Sequence, residues 1–164
     1  DRDINKGKIS GRNQEIQRLV GRSLRSAVDL SKMAEIQIKI DCDVIQADGG
    51  TRTCAITGAW VALYNAFKFL ISNGKLTQNP LEYQVAAISC GIVNDEILID
   101  LDYKEDSVAE VDANFVLTDN NKIIEIQTTS EDKPIVKEQF LKMYEIVETE
   151  ISKLFRIQNE VISK

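Results

Sequence analysis

The sequence predicts an α/β protein of the α+β type, a sheet packed by helices, on three observations. Apolar residues recur at helical spacing in three stretches, five shorter stretches alternate or run apolar as strands do, and Asn/Asp dipeptides separate two pairs of those strands. Taken in order, residues 1–11 are polar with two glycines and no periodicity, which predicts a flexible basic lead-in. Gln14 to Leu30 reads as a helix, with Ile16, Leu19, Val20, Leu24, Ala27 and Val28 on one face and Arg18, Arg22 and Arg25 as a stripe on another. Ile36 to Ile45 alternates apolar and polar residues as a half-buried strand does. A second helix from about Thr51 to Ser72 buries Ile56, Ala59, Leu63, Phe67 and Leu70, and Asn73-Gly74 ends it. Lys75 to Tyr83 is a loop containing Pro80. Val85 to Val93 and Glu96 to Leu101 form a hairpin about Asn94-Asp95, and Val111 to Leu117 and Ile123 to Gln127 a second about Asp119-Asn120. From about Ile135 a long helix carries Val136, Phe140, Met143, Val147, Ile151, Leu154 and Val161 as its buried stripe. The helix over 14–30 has an apolar face with no preceding strands to cover it.

At 164 residues with 28% charged and 43% hydrophobic side chains, the chain reads as one ordinary globular domain. No run is read as the ~20 apolar residues of a membrane span, and no signal-peptide pattern opens the chain, so a cytoplasmic protein without a membrane partner is expected. Cys42, Cys54 and Cys90 lack metal-ligand spacing and read as reduced thiols.

The chain contains no histidine. Ser-His and Cys-His nucleophilic chemistry is therefore excluded, and acid-base or metal work falls to carboxylates, which favour hard cations such as magnesium. The net charge of −6 is uneven: residues 1–25 hold seven cations (Arg2, Lys6, Lys8, Arg12, Arg18, Arg22, Arg25) against three acids, +4, leaving −10 for the rest. A basic entry segment on an acidic body implies a local polyanion-binding surface.

Two segments carry chemistry. Ala47 to Thr53 (ADGGTRT) leads from the predicted strand through two glycines into a helix, whose first amides and dipole attract an anion, with the Arg52 fork suited to phosphate. The same pattern also fits a plain glycine turn with Thr51 as N-cap. Asp100 to Asp112 holds six acids in thirteen residues. Asp112 opens a strand and Asp106 lies across a loop from it. Two convergent carboxylates can hold a divalent cation or share a proton as an acid pair.

Three blocks together resemble the RNase PH family: Ser10 to Arg22 (SGRNQEIQRLVGR), Asp41 to Thr53 (DCDVIQADGGTRT) and Leu101 to Asp112 (LDYKEDSVAEVD). The resemblance implies a fold like ribosomal protein S5 domain 2, a mixed sheet packed by helices, here N-terminally truncated and lacking the family's opening strands. It implies a phosphorolytic 3′–5′ exoribonuclease that trims tRNA precursors, with inorganic phosphate as nucleophile and nucleoside diphosphates as products. Carried over by position, Arg12, Gly50, Thr51 and Arg52 would bind phosphate. Asp106 and Asp112 would be catalytic and bind Mg2+, and Arg2, with Arg18 and Arg22 of the basic stripe, would contact RNA. A homo-hexamer built as a trimer of dimers is also implied. The alternatives are a non-catalytic RNA-binding or ring-scaffold subunit, which usually loses one of these residue sets, or an inactive fragment.

Overall fold

A computed structural model describes residues 10–33, 35–131 and 133–164; the lead-in over 1–9, with Arg2, lies outside the described residues. Helix α1 (Gly11–Ser26) starts earlier than its apolar periodicity predicts, because Ser10 Oγ accepts from Asn13 N at 3.2 Å and caps it. It also stops short of Leu30. Asp29 Oδ1 accepts from the amide and the hydroxyl of Ser31, a local competitor to the helical ladder, and a 3-10 turn follows at Leu30–Met33.

The predicted strand over 36–45 is corrected. The segment is extended but belongs to no ladder. Its alternation still shows, since Ile36, Ile38 and Ile40 are half-buried against the core while Gln37 and Lys39 are exposed. A period of two specifies which side chains face inward; a strand also needs a neighbour, and among the described residues none pairs with it.

Helix α2 (Thr51–Ser72) spans the predicted range and ends at Asn73 and Gly74, whose φ of +66° only glycine adopts readily. Its central window has a mean hydropathy of 1.4, long and apolar enough to cross a membrane by composition, which corrects the sequence-based expectation that no run reaches that length. Here Ile56, Trp60, Leu63 and Phe67 are packed in the core.

Strands β1 (Val85–Val93), β2 (Glu96–Ile99), β3 (Val111–Thr118) and β4 (Ile123–Ser130) form one sheet in the order β2-β1-β3-β4. Every pairing is antiparallel. The mixed α/β architecture expected from the sequence is thus present, with the four described strands paired antiparallel. Asn94 and Asp95 have φ of +50° and +63°, the two left-handed residues of a type I′ hairpin. Between β2 and β3 a single helical turn, α3 (Tyr103–Asp106), was too short for periodicity to reveal.

The sheet has a core on each face. Val85, Ala87 and Val116 meet α1 and α2, whereas Ile88, Cys90, Ala113, Phe115 and Leu117 meet α4 (Lys137–Ile162). Met143, Val147 and Ile151 of α4 are buried as predicted. Val136 and Val161 are not, being 53% and 48% exposed at the two ends of the helix, where it overhangs the sheet. The inward position beyond Phe155 belongs to Gln158, whose amide donates to Thr57 O and Val85 O and whose Oε1 accepts from Gln84.

Candidate functional site

The turn before α2 is built without side chains because its backbone lies against another loop. A Cβ on Gly49 would stand 1.9 Å from Leu101 O, and Gly50 adopts a φ of +65°. Gly50 is the N-cap and so offers no side-chain acceptor, and the first turn of α2 contains no acid. The amides of Thr51, Arg52 and Thr53 thus lack intrahelical acceptors, and the acid nearest this end comes from outside the helix, Asp100, whose Oδ1 lies 3.4 Å from the point a Gly50 Cβ would occupy. The alternative of Thr51 as N-cap is not what the structure adopts. Beneath the turn, Ser89 is 5% exposed and its Oγ has no hydrogen-bond partner among the described residues. It lies 3.8 Å from the point a Gly50 Cβ would occupy.

Arg52 reaches back to α1, where its Nη1 is 3.3 Å from Glu15 Oε1. This pair sets the first turns of α1 and α2 side by side. Arg12 is exposed and stands three residues before Glu15 on α1, one turn away along the helix.

The acids arrive from the sheet side. Asp112 is the second residue of β3, in phase with Val116, so it faces the α2 side of the sheet, opposite Gly91 of β1. Asp106 ends α3. Burial pushes the Asp112 carboxyl above its ordinary range, and repulsion by Asp106 adds to the rise. Arg52 opposes it, and Glu131 and Glu15 add smaller repulsions. Asp106, Asp112, Arg52 and Glu15 therefore share one electrostatic neighbourhood. Among the described residues no group of three or more Cys, Asp or Glu is placed to hold a metal ion.

Two other acids of the 100–112 run, Asp102 and Glu105, have a structural role. Asp102 Oδ1 accepts from Glu105 N at 2.8 Å and Glu105 Oε2 accepts from Asp102 N at 2.9 Å, a capping box on α3. Its signature, an acid followed three residues later by Glu, was present in the sequence. The arginine stripe is not uniform. Arg22 forms a two-pronged contact with Glu125 of β4 at 2.9 and 2.5 Å, which raises the pKa of its guanidinium, while Arg18 is exposed. No local signal links Arg22 to a residue 103 positions away. A cavity of about 800 Å3 between α1, the 38–44 segment and Leu63 and Phe67 is lined by none of the candidate residues.

Residues 1–68 match the first domain of the 3′ exoribonuclease family and residues 83–147 its second domain. The chain is 56% identical over 157 residues to ribonuclease PH of Maricaulis maris, covering 96% of this chain and 66% of that protein. To ribonuclease PH of Caulobacter vibrioides it is 53% identical over 161 residues, covering 98% and 68%. The chain thus spans about two thirds of the length of these relatives. Similar solved structures are rice Rrp46 (TM-score 0.72, 19% identity, 97% of this chain and 70% of that one) and an archaeal exosome core (TM-score 0.66, 19% identity, 93% and 64%). At that identity they bear on the fold alone.

Proposed function

This chain belongs to the ribonuclease PH family of 3′ exoribonucleases, and from that premise we propose that it removes nucleotides from the 3′ end of tRNA precursors by phosphorolysis. The observation that carries the reading is that Asp112 feels Asp106 and Arg52 together. The acids and the anion-attracting helix end thus act on the same space.

In this reading inorganic phosphate binds the amides of Gly50, Thr51 and Arg52 and the guanidinium groups of Arg52 and Arg12. Two cations and a helix end offset the repulsion between phosphate and the phosphodiester it approaches, and hold the attacking oxygen in line. That oxygen bonds to the terminal phosphorus, the bond from phosphorus to the neighbouring 3′ oxygen breaks, and the last nucleotide departs as a nucleoside diphosphate. The shortened RNA needs a proton on its new 3′ hydroxyl. We assign that proton to Asp112, whose raised pKa keeps it protonated to higher pH than an ordinary carboxyl. Phosphate itself attacks, so no histidine base is required. In the alternative state, with both carboxylates ionised, Asp106 and Asp112 would hold a Mg2+, and that ion would offset charge on the leaving oxygen in place of a proton from Asp112.

Arg18 and Arg2 are proposed RNA contacts, with Arg22 contributing only where it leaves Glu125. The two core clusters share one sheet, which supports reading residues 1–164 as a single domain. A homo-hexameric ring, a trimer of dimers, and a cytoplasmic location complete the proposal. Retention of both the arginine and carboxylate sets favours an enzyme over a scaffold subunit. The test is an RNA with extra 3′ nucleotides incubated with and without inorganic phosphate. Phosphate-dependent release of nucleoside diphosphates is expected, and release of monophosphates, or release indifferent to phosphate, would overturn the proposal.

A further inference from the structure

The phosphate turn and the acid-bearing turn are joined by a bond between residues 55 positions apart in sequence. Gly49 lies so close to Leu101 O that no side chain fits between them. One residue earlier, Asp48 Oδ1 accepts from Tyr103 N at 2.8 Å. Tyr103 is the first residue of α3, and its amide is one of the donors that a helix start cannot satisfy internally. Asp102 satisfies the amide of Glu105 in the same turn, so α3 is held from within by its capping box and from outside by Asp48. Asp106, the last residue of α3, bonds back to Asp102 O at 2.9 Å and has no other fastening to the phosphate turn by hydrogen bond among those described.

We propose that Asp48 is a positioning residue, latching the turn that holds phosphate to the helical turn that carries Asp106. The inference rests on the phosphorolytic reading above. It is distinct from that reading because the role given to Asp48 is its bond to Tyr103 N and not a contact to phosphate or RNA. A latch of this kind fixes the distance between bound anion and acid, a quantity on which the rate of an in-line transfer depends steeply. The bond needs an acceptor at position 48, not a charge, and a donor at position 103.

The experiment uses the full-length gene product and three variants. Asp48→Ala removes the acceptor, and Tyr103→Pro removes the donor at a helix position where proline's fixed φ is tolerated. Asp48→Asn keeps a carbonyl acceptor in the same place. Expected is a fall in kcat of about 10-fold for Asp48→Ala and for Tyr103→Pro, with phosphate KM within about threefold of the unaltered protein. The double variant should fall no further than either single one. Asp48→Asn should retain kcat within about threefold. Hydrogen exchange in the 101–108 segment should speed up in Asp48→Ala and not in Asp48→Asn. Full kcat in Tyr103→Pro, or equal damage from Asp48→Asn and Asp48→Ala, would overturn the proposal. So would a loss confined to KM. If the unaltered protein releases no nucleoside diphosphate, the functional reading fails, and the exchange comparison still decides whether the latch exists.

Discussion

Replacing Arg52 by alanine removes a side chain that the structure connects both to α1 and to Asp112. Its guanidinium pairs with Glu15 and lowers the pKa of Asp112 against the pull of burial and Asp106. The Glu15 pair is partly exposed, with side-chain exposures of 24% and 46%. It therefore contributes at most about 1 kcal/mol to stability, and the variant should fold. The larger loss is in binding. A charge-assisted contact to phosphate is worth about 1.5–3 kcal/mol, so phosphate use should fall ~10–100-fold. A second consequence separates this arginine from a generic cation. Without it, Asp112 keeps its proton to still higher pH, so the alkaline limb of the rate profile should move upward even as the rate drops. Initial rates of nucleoside diphosphate release across phosphate concentrations and pH measure both effects. Unchanged phosphate dependence in Arg52→Ala would refute the assignment of the anion to this helix end.

Asp112→Asn should abolish phosphorolysis while leaving the fold intact, and its stability should betray the strain of the native carboxylate. Because the folded pKa is raised, the native state holds the proton more tightly than the unfolded chain. Stability therefore declines as pH rises from the ordinary carboxyl range through the raised value. The variant should melt higher than the parent at pH 7, and the gap should close below about pH 4. Arg22→Ala should lower the urea midpoint, since it strands Glu125, 18% exposed on β4. For RNA, Arg18→Ala should flatten the slope of log affinity against log salt more than Arg22→Ala does. Gly49→Ala should be severely destabilising by thermal melting, because the added methyl collides with backbone and not with a flexible side chain.

Legibility in the sequence tracked the range of the interaction. Helix α2 was readable to both ends because its periodicity and its Gly74 cap are local. The Asn94-Asp95 turn was readable because the dipeptide itself tolerates positive φ. The 36–45 segment was misread as a strand because a ladder is a property of two segments. Residue types named the site, and α2's start and the placement of Asp112 on a strand followed from pattern. What holds the site together did not: Arg52–Glu15 spans 37 positions and Asp48–Tyr103 spans 55, pairings that no spacing rule predicts.

Gln158 has a bearing on how the protein comes off the ribosome. Its amide closes contacts across 101 and 73 positions, to the carbonyls of Thr57 and Val85. At about 5–20 residues per second, the segment carrying α2 and β1 waits several seconds, with the Gln158 contacts unmade, until position 158 has been made and has left the exit tunnel. During that interval the apolar faces of α2 and of the sheet have no α4 to cover them. A chaperone that shields this surface should therefore engage nascent chains arrested before position 158 and release those extended well beyond it.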